Sequence, residues 1–177
     1  MAKARQIHGL SADGSYAAAA ARTVAVRAQE LVDHSAGVLD MGDIERVHDM
    51  RVATRRLRAA LEVFEPCFSG KRFGLDLGEV KTLADALGER RDRDVAIAAL
   101  EELAAKMAAP DRPGIDSLID RLRAEQRRAN EELAGFVSAD RLEALRERLA
   151  DLVAEAWALA PEDSPPSEAA RSNGSGA

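Results

Sequence analysis

A helical period of apolar residues recurs along almost the whole chain, and this pattern limits the folds open to it. Apolar side chains return every three or four residues between turn signals, and no alternating run of strand length occurs. Hydrophobic residues make up 46% of the 177 positions but aromatic residues only 3%, which suits helices packed through aliphatic side chains. The sequence therefore predicts an all-α fold, an up-and-down antiparallel bundle of four to five helices with short connections.

Turn signals divide the pattern into segments. We expect helices over about 15–39, from Asp43 to near 66, 70–107, 116–137 and 139–159. Asp43 and Ser138 are candidate N-cap residues, and Gly74 and Gly78 are expected to loosen the third helix. The predicted organisation is a flexible N-terminus over residues 1–9, a bundle over 10–159, and a disordered tail rich in Pro, Ser and Gly over 160–177.

Composition excludes several classes of protein. The single cysteine, Cys67, permits no internal disulfide and no thiolate metal cluster, which favours a reducing compartment. No signal peptide or membrane span is predicted, so we expect a cytoplasmic protein without membrane partners. The formal net charge of −6, taken alone, argues against a polyanion as the partner.

The distribution of charge changes that interpretation. Five arginines and one aspartate between residues 46 and 58 give this window a local formal charge of +4. On a helix, His48, Arg51, Arg55 and Arg58 share an arc of about 80° and extend over roughly 15 Å beside an apolar face. Like charges in this arrangement repel one another, so a bound anion would offset the repulsion.

The alternative interpretation is a solvated face with salt bridges within the helix. It fits less well, because acidic partners are missing between Arg51 and Arg58 and only Glu62 closes the row. Arginine presents a planar fork of donors that matches phosphate and carboxylate oxygens. The window therefore favours a bound polyanion.

His48 has several possible roles. It can be a structural residue at the bundle edge, a donor to the same anion, or a phosphoacceptor, although the residues after it differ from those of histidine phosphotransfer bundles. A metal site is less favoured, because His8 and His34 have no ligand spacing to His48. We predict no metal and no cofactor.

The third and fourth helices add further cations. Lys81 and Arg91 lie within about 80° on one helix with the small residues Ala84 and Gly88 between them, which leaves room for an extended anion. Asp94 is expected to be partly buried and paired with an arginine of a neighbouring helix, and Asp92 or Asp94 to orient the arginines. On the fourth helix, one edge carries Arg121 and Arg128 and the other carries Arg123 and Arg127; we assign the former pair to the site.

Two segments together resemble a known family. The string from Val47 to Leu61, with its pattern His-x-x-Arg-Val-x-x-Arg-Arg-Leu-Arg, and the string from Leu83 to Val95 closely resemble the CHAD domain, the conserved histidine α-helical domain. The resemblance covers about residues 10–159. CHAD domains are helical and are known as binders of inorganic polyphosphate. The resemblance implies phosphate contacts from the following residues: His48, Arg51, Arg55, Arg56, Arg58, Lys81 and Arg91.

The resemblance also bears on assembly. A full CHAD domain is about twice as long, with two similar halves that each bring a basic row to a central pore, and no second copy of the first string follows residue 95 here. The chain resembles the N-terminal half or a single-repeat form, and a homodimer is the simplest source of a complete channel.

The expected function is non-catalytic binding of inorganic polyphosphate, with association to polyphosphate granules. One alternative is a helical module that docks an acidic partner such as a triphosphate tunnel metalloenzyme. Another is a phosphotransfer or phosphohydrolase enzyme that uses His48, but the acidic cluster for Mg²⁺ and the Gly-rich phosphate loop it would need are missing. Nucleic acid is a less favoured polyanion, because one Trp and one Tyr give no stacking platform for single strands.

Overall fold

The computed structural model describes residues 3–68 and 70–160, and these residues form helices and no strand. The predicted all-α fold is confirmed. The five α-helices are α1 (Tyr16–Asp33), α2 (Ile44–Val63), α3 (Gly70–Lys106), α4 (Pro113–Ala134) and α5 (Ala139–Ala158). Single 3₁₀ turns at Glu65–Cys67 and Ala109–Asp111 lie before α3 and α4. The predicted disordered tail lies, from residue 161 onwards, outside the described residues.

Side-chain caps set the start of the first two helices. The Ser15 hydroxyl accepts the amide N–H of Ala18, and the Asp43 carboxylate accepts that of Glu45, so Asp43 is confirmed as the N-cap of α2. Ser138 occupies the position before α5, but its side chain makes no capping hydrogen bond. Its backbone carbonyl accepts from Leu142 instead.

The first helix ends at Asp33 rather than near residue 39, so its predicted end is wrong. The Ser35 hydroxyl donates to the carbonyl of Val32, which satisfies a terminal acceptor of the helix. Gly37 then adopts a φ of +71°, and a Cβ there would lie 2.7 Å from Nη1 of Arg46. Arg46 reaches this turn because it donates to the carbonyl of Ala36 and to the carboxylate of Asp43. Arg46 therefore braces the connection between α1 and α2.

The bundle consists of α1, α2, α5, the first half of α3 and the C-terminal end of α4, where Leu133 joins the main core. Chain neighbours run antiparallel: Tyr16, at the start of α1, donates its hydroxyl to the carbonyl of Val63 at the end of α2. Helix α1 packs against α2 and α5, and α3 packs against α2 and α4. The main core is aliphatic, and its fully buried residues include Val24, Met50, Leu57, Leu87 and Leu149. No helix in the described part of the chain is long and apolar enough to cross a membrane.

Helix α3 continues past the bundle. It runs uninterrupted through Gly74 and Gly78, so the expected loosening there is wrong. Its residue Arg91 lies against Ile44, the first residue of α2, and the remaining turns of α3 extend about 20 Å further. There α3 pairs with α4 around a small separate cluster of Ile97, Ala104 and Ile119. We call residues 95–106 and 113–123 the hairpin arm.

Candidate anion-binding groove

The arginine row of α2 follows from the way in which this helix is buried. Val47, Met50, Leu57 and Leu61 are fully buried and fix the rotation of α2 about its axis. That rotation leaves Arg51, Arg55 and Arg58 along the edge of α2 that faces α3. The arc predicted for these three arginines matches this edge.

A groove of about 390 Å³ lies between α2 and α3 and is open to solvent. Its floor is made by small residues of α3, Ala84 and Gly88. One wall consists of the α2 arginines, and we call it the cationic wall: Arg51, Arg55 and Arg58. The facing wall belongs to α3, and we call it the acidic wall: Asp85, Glu89 and Asp92.

The acidic wall was not predicted as a unit. The sequence predicts that Asp92 or Asp94 orients the arginines, but it does not identify Asp85 and Glu89 as part of the site. Asp85, Glu89 and Asp92 are spaced at i, i+4 and i+7, and this spacing alone predicts that the three carboxylates share one face of α3. Periodicity within one helix does not say which helix that face meets, and this information comes only from the packing.

Two cations of the cationic wall have no internal partner. Among residues 3–68 and 70–160, Arg51 and Arg55 make no hydrogen bond and no ion pair. Nε of Arg51 lies 3.9 Å from the position that a Cβ would take on Gly88, so the guanidinium extends over the groove floor. Because each guanidinium has five N–H donors, both side chains are available to an anion.

The third arginine of the cationic wall, Arg58, shares a carboxylate with Lys81 of α3, which does not itself line the groove. Glu62, near the end of α2, accepts from Nε of Arg58 at 3.0 Å and lies 3.1 Å from Nζ of Lys81 on α3. The hydrogen bonds from Arg58 and Lys81 hold the pKa of Glu62 below its ordinary value. Glu62 is therefore ionised at neutral pH and neutralises part of the charge at this end of the groove.

Arg91 has a structural position rather than a place in the groove. Its side chain is only 16% exposed. Nη1 donates to the carbonyl of Ile44 at 3.1 Å, and Nη2 donates to the carboxylate of Glu45 at 3.2 Å. Arg91 therefore ties α3 to the first turn of α2.

Arg56 lies on another side of α2, near α1. Its charge, together with that of Arg27, acts on the buried carboxylate of Glu30. Burial raises the pKa of Glu30, but the backbone N–H of Arg5 and the Arg27 guanidinium outweigh this effect, so the net shift is downward. Arg5 also pairs with Asp33, so these contacts hold part of the N-terminal segment against α1.

His48 is half-buried on α2, one turn before Arg51, and does not line the groove. A ring nitrogen of His48 and carboxylate oxygens of Glu45 and Asp49 lie within 4.8 Å of one another. Within the described ranges this is the one group of three side chains spaced to hold a metal ion.

Arg121 and Arg128 are exposed on α4, which packs on α3. A second groove, of about 200 Å³, lies between α3 and α4, and Asp85 and Glu89 border both grooves. The acidic wall thus stands between the α2 arginines and α4. Neither Arg121 nor Arg128 lines the α2–α3 groove.

Asp94 pairs within its own helix, so the prediction of a partner arginine on a neighbouring helix is wrong. Its carboxylate contacts the guanidinium of Arg90, one turn earlier on α3, and both side chains are fully buried. From α4, Gln126 donates to the same carboxylate at 2.6 Å, and Asn130 accepts from Nε of Arg90 at 3.3 Å. Burial lowers the pKa of Arg90. This network joins α3 to α4 and does not orient the cationic wall.

We compared the chain with known protein families, and the match found includes the sequence strings on α2 and α3. The fold and the site together define an all-α helical bundle with a row of arginines on its second helix. The model of the CHAD domain family matches residues 22–174, which is most of the chain. The chain belongs to the CHAD domain family. No curated protein matches it.

Proposed function

We propose that the chain binds inorganic polyphosphate along the cationic wall and catalyses no reaction on it. One observation carries the proposal: Arg51 and Arg55 line a solvent-open groove and have no partner among the described residues. Guanidinium groups form charge-assisted and bidentate hydrogen bonds with phosphate oxygens. The polyphosphate binding known for CHAD domains supports the same ligand.

The shape of the groove suits a linear anion. Arg51 and Arg58 are seven residues apart, so the cationic wall extends about 10 Å along α2 and offers donors to successive phosphate groups. The floor at Ala84 and Gly88 carries no bulky side chain, which lets the chain of phosphates lie close to α3. The proposal includes association with polyphosphate granules in the cytoplasm. It also includes a homodimer, in which the second copy adds a second cationic wall.

The test compares two double variants that lower the net charge equally. Arg51→Ala with Arg55→Ala removes the unpaired part of the cationic wall, and we expect retention of long-chain polyphosphate to weaken at least tenfold at about 0.1 M salt. The control combines Arg127→Ala on α4 with Arg146→Ala on α5, both exposed and outside the groove, and should bind nearly as wild type. Equal weakening by both variants would show that only net charge matters and would contradict the proposed site.

Catalysis is tested with the same protein. Purified chain incubated with polyphosphate and Mg²⁺ should release no orthophosphate. Release that His48→Ala abolishes would contradict the non-catalytic part of the proposal and favour an enzyme.

A further inference from the structure

Glu62 occupies a distinctive place at one end of the groove. One of its oxygens, Oε1, is the partner of both Arg58 at 3.0 Å and Lys81 at 3.1 Å. The first cation is on α2 and the second on α3, so the carboxylate bridges the two helices that form the groove. All three side chains are about 40% exposed, so solvent and solutes reach the bridge.

The cations in the groove and beside it fall into two states. Arg51 and Arg55 have no partner in the described part of the chain, whereas Arg58 and Lys81 share a carboxylate. A phosphate oxygen that bonds to Nε of Arg58 or to Nζ of Lys81 requires the same N–H donors that Glu62 uses. The negative charge of Glu62 also repels an approaching polyanion.

We infer that Glu62 is an internal competitor of the ligand: it occupies Arg58 and Lys81 until a polyanion displaces it, and thereby limits both the affinity and the length of anion bound. This inference rests on the proposed function of the groove. A ligand held only by Arg51 and Arg55 leaves Glu62 in place. A longer segment that reaches the Glu62 end of the groove must break two ion pairs to gain two new ones.

A competing role for Glu62 is to position Arg58. Nε of Arg58 is bonded to Glu62, and a positioned guanidinium would present its two Nη groups to the ligand. The two roles predict opposite effects of substitution. Removal of a competitor tightens binding, whereas removal of a positioning residue weakens it.

The experiment measures the dissociation constant for long-chain polyphosphate at about 0.1 M salt. Glu62→Gln removes the charge but keeps an amide oxygen that accepts from Arg58, and we expect binding about three- to tenfold tighter than wild type. Glu62→Ala removes the acceptor as well and should also bind more tightly than wild type. The matched control is Glu143→Gln, because Glu143 is an exposed carboxylate of α5 paired with Arg146, and its change in net charge is the same.

The outcomes distinguish a failure of this inference alone from a failure of the proposed function. Tighter binding by both Glu62 variants, with Glu143→Gln near wild type, supports the competitor. Binding by Glu62→Gln no tighter than by Glu143→Gln overturns it, and so does weaker binding by Glu62→Ala than by wild type. If Arg51→Ala with Arg55→Ala weakens binding while the Glu62 variants do not tighten it, only the competitor fails. If the double arginine variant binds as wild type, the groove is not the site and both fail.

Discussion

At the scale of single residues, the stability of the fold depends strongly on the buried ion pair of Arg90 and Asp94. Both side chains are fully buried and contact each other, Gln126 and Asn130, but Nη2 of Arg90 and Oδ2 of Asp94 have no hydrogen-bond partner among the described residues. A buried ion pair gains little over an apolar pair of similar volume, but removal of one partner leaves an uncompensated charge. The pair therefore favours one specific arrangement of α4 on α3.

Arg90→Met should lower the free energy of unfolding by about 3–5 kcal/mol, because Asp94 then remains buried without its cation. The double variant Arg90→Met with Asp94→Leu should be more stable than Arg90→Met alone, since neither charge remains. Arg93→Ala on the same helix is the control, because Arg93 lies 3.9 Å from Glu125 at the surface and contributes little. Urea titration followed by circular dichroism measures all three, and a double variant less stable than Arg90→Met would contradict the account.

At the scale of elements, Gly88 of α3 affects both the shape of the groove floor and the stability of the helix. Gly88 lies within this helix, and the nearest atom to an added Cβ is Nε of Arg51 at 3.9 Å, an ordinary contact distance. Glycine inside a helix costs about 1 kcal/mol relative to alanine. The residue therefore keeps the floor of the groove low at a cost in the stability of α3.

Gly88→Ala is expected to change stability and binding in opposite directions. The free energy of unfolding should rise by up to about 1 kcal/mol, while the added methyl group on the groove floor should weaken polyphosphate binding a few-fold. Gly78→Ala on the same helix is the matched control, since no atom lies within 4 Å of its Cβ position and it does not line the groove. Thermal unfolding and the same binding assay test both variants, and equal loss of binding by the two would contradict a role for the floor.

Element-level patterns explain what the sequence could and could not predict. The helices, the N-cap at Asp43 and the common edge of Arg51, Arg55 and Arg58 follow from local periodicity and capping chemistry. The end of α1 was missed because the turn depends on Arg46 reaching Gly37 from the next helix. The acidic wall was missed for a related reason, because only the packing of α3 between α2 and α4 brings it to face the arginines.

Arg91 illustrates the same limit within the candidate site. Its spacing from Lys81 placed both on one side of α3, but the side chain is used by the backbone of Ile44 and by Glu45. Periodicity gives the direction of a side chain but not the partner that it meets. Tertiary partners decide whether a cation is free to bind a ligand.

At the scale of the whole molecule, residues 3–68 and 70–160 form two hydrophobic cores of very different size. The bundle has the large aliphatic core, whereas the hairpin arm packs around Ile97, Ala104 and Ile119, with the partly buried Leu100, Ile115 and Leu122 against them. Beyond that cluster the arm is held by exposed ion pairs such as Arg123 with Glu101, which contribute little. The arm is therefore expected to open locally at a lower free energy than the bundle.

Amide hydrogen exchange should show this difference. Amides of residues 98–105 in the arm are expected to exchange at least tenfold faster than those of residues 50–61 in α2, at a pH and temperature where the protein is native. Because α3 ends at Lys106 and α2 at Val63, amides in the last turn of either helix are left out of the comparison, so that fraying of the helix ends does not account for the difference. Equal protection of the two segments would mean that the arm and the bundle unfold as one unit.

The two facing walls of the groove carry opposite charge, so the groove is electrostatically asymmetric across its width. An anion on the floor at Ala84 and Gly88 would be attracted by the cationic wall and repelled by the acidic wall, so it would lie nearer the arginines. The carboxylates of the acidic wall, Asp85, Glu89 and Asp92, then attract the small cations that accompany any polyphosphate. If polyphosphate binds as proposed, it should keep part of its counterion cloud on that side, and its affinity should fall less steeply with salt than the number of arginines alone predicts.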